Sequence, residues 1–426
     1  MLEILLSLSV AMFSGLMLSR LAKVLKLPAV TAYLVAGILI GPYFLGRLGV
    51  TGLGFTNMDS LSDLGIISDV ALGFIAFSIG NEFRLSQLKK IGKQAAIIGI
   101  VQAVVASVMV CGALIGLHFL IPDTLPLQSA IVLGAVASAT APAATLMVVK
   151  QYKAKGPVTD VLLPVVALDD AVGLILFAVA FGVAKALISG SVDVIAVVVE
   201  PLIEVVMSLL LGLSMGFVFT FIERFFHSRS KRLSMSVTFI FLTVGISMMK
   251  FELFGIHFAF SSLLTCMMLG TIFCNICDFS EELMERIDRW SAPVLILFFV
   301  LSGAELELST FQSLPVVLIG IVYILFRSFG KYFGANISAR ATGCNSNIVK
   351  YLGITLLPQA GVALGMALKA HELGEAGAIV ANITLFSVLI YELVGPFFTK
   401  IALLKAGEIN PEEAVSARNS QKKQSA

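Results

Sequence analysis

From Leu2 to Leu404 the sequence is a succession of apolar runs, each roughly 20 residues long and each closed by a short cluster of charged or turn-forming residues. At about 1.5 Å of rise per helical residue, such a run spans the hydrocarbon layer of a bilayer. Inside that layer every backbone N–H and C=O must find a partner, and for continuous apolar runs the helix supplies one within the segment itself. The chain is therefore read as an all-α polytopic membrane protein with about 13 transmembrane helices. Composition supports the reading where it matters. With 13% of 426 residues charged and 58% apolar, too few charges exist to solvate a soluble surface of this size, which excludes a soluble enzyme. No basic stretch interleaved with aromatic residues offers a nucleic-acid surface, so no nucleic-acid partner is expected and the lipid bilayer is. Cys111, Cys266, Cys274, Cys277 and Cys344 are scattered through apolar segments and their ends, giving neither a disulfide framework nor a zinc spacing. Cys274 and Cys277 read as ordinary thiols at a helix end.

Lys and Arg collect in the cytoplasmic loops of membrane proteins. Most of the 29 basic residues follow odd-numbered spans or lie in the tail, and only Arg47, Lys185, Lys250 and Lys369 fall on the opposite side. This asymmetry puts the amino terminus outside and the carboxyl terminus in the cytoplasm of a cell-membrane protein. The first span begins with Glu3, and its basic cluster, Arg20, Lys23 and Lys26, follows instead of preceding it, so it reads as a retained helix and not a cleaved signal. Residues 1–406 form the transmembrane domain, and residues 407–426 read as a short, disordered cytoplasmic tail.

Charge within lipid is costly, so each intramembrane charge is a functional candidate unless it can reach an interface. Asp169 and Asp170 lie nine and ten residues beyond Asp160, about 13 Å from the cytoplasmic face. Lys331, counted back from Arg340 on a span of opposite direction, has about the same depth. Arg327 is one turn from Lys331 on the same face; it either snorkels or braces a carboxylate. Glu392, in the last span, either pairs with Arg327 or lies near the inner interface. Two spans are interrupted at matching depth, the fifth at Pro142 and the twelfth at Pro358, the latter followed by Gly361. They run in opposite directions and are seven spans apart, which relates helices 4 to 6 and 11 to 13 as inverted repeats. Interrupted helices in corresponding positions of inverted halves mark an ion site, because freed carbonyls and half-helix dipoles coordinate ions. The expected site gathers Asp169, Asp170 and Thr140, with Ser138 on the same broken segment. A transported cation is the only metal expected, and no cofactor or catalytic residue is. A passive channel would need a continuous polar pore, and an intramembrane aspartyl protease would need its two aspartates on separate helices.

These residues carry a resemblance. Leu27-Pro28, Tyr33-Leu34, Ala36-Gly37, Gly41-Pro42, Phe77 to Glu82, Phe298 to Gly303, Pro358 to Leu364 and above all Asp169-Asp170 resemble the monovalent cation:proton antiporter superfamily. The likeness is to the branch of bacterial sodium/proton exchangers and potassium-efflux membrane subunits. It implies a sodium/proton antiporter-like fold with two crossed, broken helices. Its core, about 95–188 and 314–404, moves against scaffold and dimer helices at about 2–87 and 233–306, joined by a linker helix at about 194–222. By the same resemblance Asp170 is the principal cation and proton carboxylate, Asp169 its partner, Thr140 a lining residue and Lys331 the base tied to the first aspartate. A homodimer is implied, as is exchange of a monovalent cation for protons by alternating access. Sodium is the first expectation for the cation, with lithium or potassium admissible. A potassium/proton antiporter, or an efflux subunit regulated by a separate protein, is the alternative. Where some relatives carry an acidic residue after the threonine of the broken fifth helix, this chain has Ala141.

Overall fold

Helices that are apolar all round, not merely on one stripe, are shaped by lipid, and their limits are set by glycine, proline and capping residues. The computed structural model of the chain describes residues 2–25, 29–50, 54–56, 61, 64–141, 145, 148–149, 152–188, 200–249, 251–253, 256–258, 260–306, 314–359 and 361–409. Its helices are α1 Leu2–Leu25, α2 Ala29–Ile40, α3 Gly65–Glu82, α4 Leu85–His118, α5 Leu127–Val136, α6 Pro157–Ile188 and α7 Glu200–Glu223. They continue as α8 Arg229–Ser247, α9 Ser262–Ile276, α10 Ser280–Ala304, α11 Leu314–Ala341, α12 Ser346–Thr355, α13 Gly361–Ala370 and α14 Glu375–Lys405. Among the described residues eight helices are long and apolar enough to cross a membrane, and α3, α5 and α9 are shorter apolar helices.

Several boundaries differ from the sequence expectation, among them the following three. The second apolar run of the sequence continues to Leu45, but α2 stops at Ile40 because Gly41-Pro42 follows, and proline disfavours helical geometry in the residue before it. The third apolar run reads as a span over Val70 to Gln87; α3 instead runs from Gly65 to Glu82, and Phe83 and Arg84 form the turn before α4. The ninth was expected to begin at Ile256. There Phe251–Leu253 pairs with Ile256–Phe258 as a short antiparallel hairpin, and α9 starts only at Ser262, after Ser261 accepts a hydrogen bond from the Leu264 N–H.

The helices pack as two sets. In one, α11 lies along α4, α5 sits between α4 and α6, and α12, α13 and α14 close around them. In the other, α2 packs on α1 and α10, and α3 packs on α9 and α10. The helix α7 touches α9 and α6, bridging the sets. The first set contains both breaks. The backbone leaves the helix after Val136 and after Thr355, and the two irregular segments touch where the Ala141 N–H donates to the Pro358 carbonyl at 2.9 Å. Irregular backbone at membrane depth is tolerated only where protein or a cavity satisfies it. Pro142 lies outside the described residues; Pro358 sits at the crossing, and Gly361 opens α13 beyond it.

Candidate functional site

The site begins with α6, which carries Asp169 and Asp170 into the crossing at 0% and 2% exposure. Neighbours on a helix point about 100° apart, so the two carboxylates address different surroundings. Asp169 is held by three side chains from three other segments. Its Oδ1 accepts from Gln102 Nε2 at 2.6 Å, and its Oδ2 accepts from Lys331 Nζ at 2.6 Å and from the Thr140 hydroxyl.

Small residues make this convergence possible. On α11, Gly330 and Gly334 flank Lys331, and a Cβ on either would stand 2.6 Å from the Ala106 Cα or 2.7 Å from the Gln102 Cα. Helices α4 and α11 thus approach backbone to backbone, which lets Gln102 and Lys331 reach one carboxylate from either side. Lys331, fully buried, also donates to the Ser138 carbonyl. Ser138 therefore faces the lysine with its backbone, while its hydroxyl turns back to the Ala135 carbonyl at 2.6 Å.

Arg327 neither snorkels nor braces a carboxylate. It is fully buried, and its guanidinium donates to the carbonyls of Ala137 at 3.1 Å, Ala139 at 2.7 Å, Leu357 at 2.7 Å and Pro358 at 3.4 Å. These carbonyls belong to both broken segments, so one planar cation satisfies acceptors that each break sets free. The Tyr391 ring covers it at 4.5 Å. Glu392, 2% exposed, does not pair with Arg327; it faces Thr31 of α2, where the two helix sets meet.

Gln102 and Gln359 were not among the residues singled out in the sequence. Gln359 donates from Nε2 to the Val136 carbonyl at 3.0 Å and to the Tyr323 hydroxyl oxygen at 2.9 Å, closing the end of α5. The available signal was polarity: an amide within an apolar span carries the same demand for a partner as a charge, at lower cost. Weighing charges, broken helices and the hydroxyls beside them passed over both amides.

Chemically, the crossing offers carboxylate, hydroxyl and carbonyl oxygens in a water-poor setting, the donor set of a hard cation. The buried Lys331–Asp169 ion pair is stable there only because hydrogen bonds satisfy both partners.

Comparisons with known proteins bear on the family and the fold. Residues 8–405 match the family described as sodium/hydrogen exchanger, transmembrane. The chain is similar to the K(+)/H(+) antiporter subunit KhtU of Bacillus subtilis, 22% identical over 90% of this chain and 89% of that protein. It is 23% identical to the Na(+)/H(+) antiporter NhaS4 of Synechocystis, over 94% of this chain and 96% of that one. In fold it resembles the sodium proton antiporter MjNhaP1 from Methanocaldococcus jannaschii, with a TM-score of 0.74, 18% identity, and coverage of 95% and 99% of the two chains.

Proposed function

The chain belongs to the sodium/hydrogen exchanger family and is a multi-pass cation/proton antiporter, and from that premise we propose that it exchanges sodium for protons at the Asp169–Asp170 site. The observation that carries the assignment is the saturation of Asp169 by Lys331, Thr140 and Gln102, beside a second carboxylate one residue on. Asp169 then serves as the fixed partner of Lys331, and Asp170 takes a cation or a proton in turn.

The mechanism is competition. A proton on Asp170 removes the charge that attracts the cation, and a bound cation stabilises the ionised carboxylate and lowers its proton affinity. Alternating access, with the set containing α4–α6 and α11–α14 moving against the set containing α1–α3 and α8–α10, then exchanges one for the other across the membrane. Arg327 keeps both breaks satisfied through that movement. The Lys and Arg asymmetry supports an amino terminus outside and a carboxyl terminus in the cytoplasm, and the family resemblance supports a homodimer through the second helix set. Potassium is the second reading for the cation, favoured by the likeness to KhtU.

Proton movement in sealed everted vesicles, with each monovalent chloride added in turn, tests the assignment. Sodium is expected to dissipate an imposed pH gradient at the lowest concentration. A response to potassium alone would replace sodium with the second reading, and no response to any monovalent cation would overturn both.

A further inference from the structure

The helix that bears both aspartates is capped by a residue from the far end of the chain. We propose that Glu408 is a positioning residue for the Asp169–Asp170 site, holding the start of α6 in place from the end of α14; the role rests on the exchange reading above.

The geometry is built by local chemistry on both sides. The helix α14 ends in a glycine-based stop. Gly407, at φ +76°, donates to the Leu404 carbonyl at 3.0 Å, and the Glu408 N–H donates to the Leu403 carbonyl at 3.0 Å. That turn aims the Glu408 side chain at the first turn of α6. Its Oε1 accepts the Val158 N–H at 2.6 Å, and its Oε2 accepts the Thr159 N–H at 2.8 Å and the Thr159 hydroxyl at 2.7 Å. Its backbone carbonyl accepts the Lys155 N–H at 3.1 Å.

Those N–H groups begin a helix and have no intrahelical acceptor, and a local Ser, Thr, Asp or Asn supplies one in most helices. Here Gly156 precedes Pro157 and has no side chain to offer. A Cβ on Gly156 would stand 2.5 Å from the Glu408 Cδ, so the missing side chain is what admits the carboxylate. Glu408 is 7% exposed, and the next residue, Ile409, is buried in one apolar cluster with Val158, Leu162 and Leu403. The contact is therefore a packed joint and not a surface ion pair.

Its consequence for the site is mechanical. From Thr159 to Asp169 is ten residues, about 15 Å of helix, and the favourable field of a cap fades within the first turn. Glu408 thus acts on the site through the placement of α6. Each residue of slip along a helix moves a side chain by about 1.5 Å and turns it by about 100°. Either displacement takes Asp169 away from Gln102, Thr140 and Lys331, whose three contacts define one orientation. Pro164, between the cap and the aspartates, interrupts the hydrogen-bond ladder of α6, so the first turns depend more on contacts such as this one.

The test compares Glu408→Ala, which removes both acceptor oxygens, with Glu408→Gln, which keeps the shape and one acceptor. Cation half-saturation, its pH profile and maximal rate per folded molecule are measured in everted vesicles beside the unmodified protein. Half-saturation is expected to rise about tenfold in Glu408→Ala and less in Glu408→Gln, with a smaller fall in maximal rate, as when an outer support of an ion ligand is lost. Unchanged half-saturation in both variants overturns the proposal. A fall only in the amount of folded protein, with half-saturation and pH profile intact, also overturns it, because a merely structural joint behaves so. Absence of cation-driven proton movement in the unmodified protein would instead be a failure of the exchange reading.

Discussion

Asp169 and Asp170 are adjacent in sequence and point about 100° apart on their helix. Asp169 is held by a lysine, an amide and a hydroxyl, and the proposed exchange therefore runs through Asp170. Asp170→Asn keeps the side-chain shape but can neither titrate nor offer a full charge, and is expected to abolish exchange while the folded protein stays in the membrane. Proton flux and membrane protein content, measured together, check this. Gln102→Leu is expected to weaken exchange and lower stability by about 1–3 kcal/mol, because a buried Asp169 oxygen loses its donor; thermal unfolding in detergent reads the loss. At this scale much of the site was legible. Asp169 and Lys331 are matched in depth by counting residues, Thr140 is placed beside them by its broken helix, and the three meet. Ser138, expected to line the site, faces Lys331 with its backbone carbonyl, a detail set by packing that a sequence does not display. Gln102 belongs to another helix, and nothing in its own span states where it points.

Among the elements, the broken pair matters most. Pro358 marked one break and the other was placed by Pro142, but the device that makes two breaks tolerable is Arg327, whose reading as a snorkelling or carboxylate-bracing residue missed its carbonyl partners. Backbone acceptors are invisible in sequence, whereas a charged partner has a letter. Arg327→Ala strands carbonyls on both segments at about 1–3 kcal/mol each, and is expected to lower the thermal midpoint in detergent sharply. Arg327→Lys is expected to recover only part, because a point ammonium lacks the planar fork that reaches Ala137, Ala139 and Leu357 together. Equal stability of the two variants would contradict the capping role. The start of α9 shows another limit: an apolar run beginning at Ile256 reads as helix, yet its first residues pair as a hairpin, and short apolar runs do not distinguish the two.

For the whole molecule, alternating access requires the two helix sets to move past each other. They meet closely where Gly365 of α13 faces Leu72 of α3: a Cβ on Gly365 would stand 2.3 Å from the Leu72 Cδ2. In a background lacking the five native cysteines, Leu72→Cys with Gly365→Cys is expected to stop exchange on oxidation and to restore it on reduction; unaffected exchange in the cross-linked protein would rule out movement at this contact. The account's central claim, however, is that cation and proton compete for one carboxylate, and cation half-saturation measured across pH in vesicles addresses it directly. Only the deprotonated site binds the cation, so half-saturation is expected to fall about tenfold per pH unit while the site is mostly protonated, then level off. A half-saturation that stays constant across the active pH range would contradict competition at Asp170.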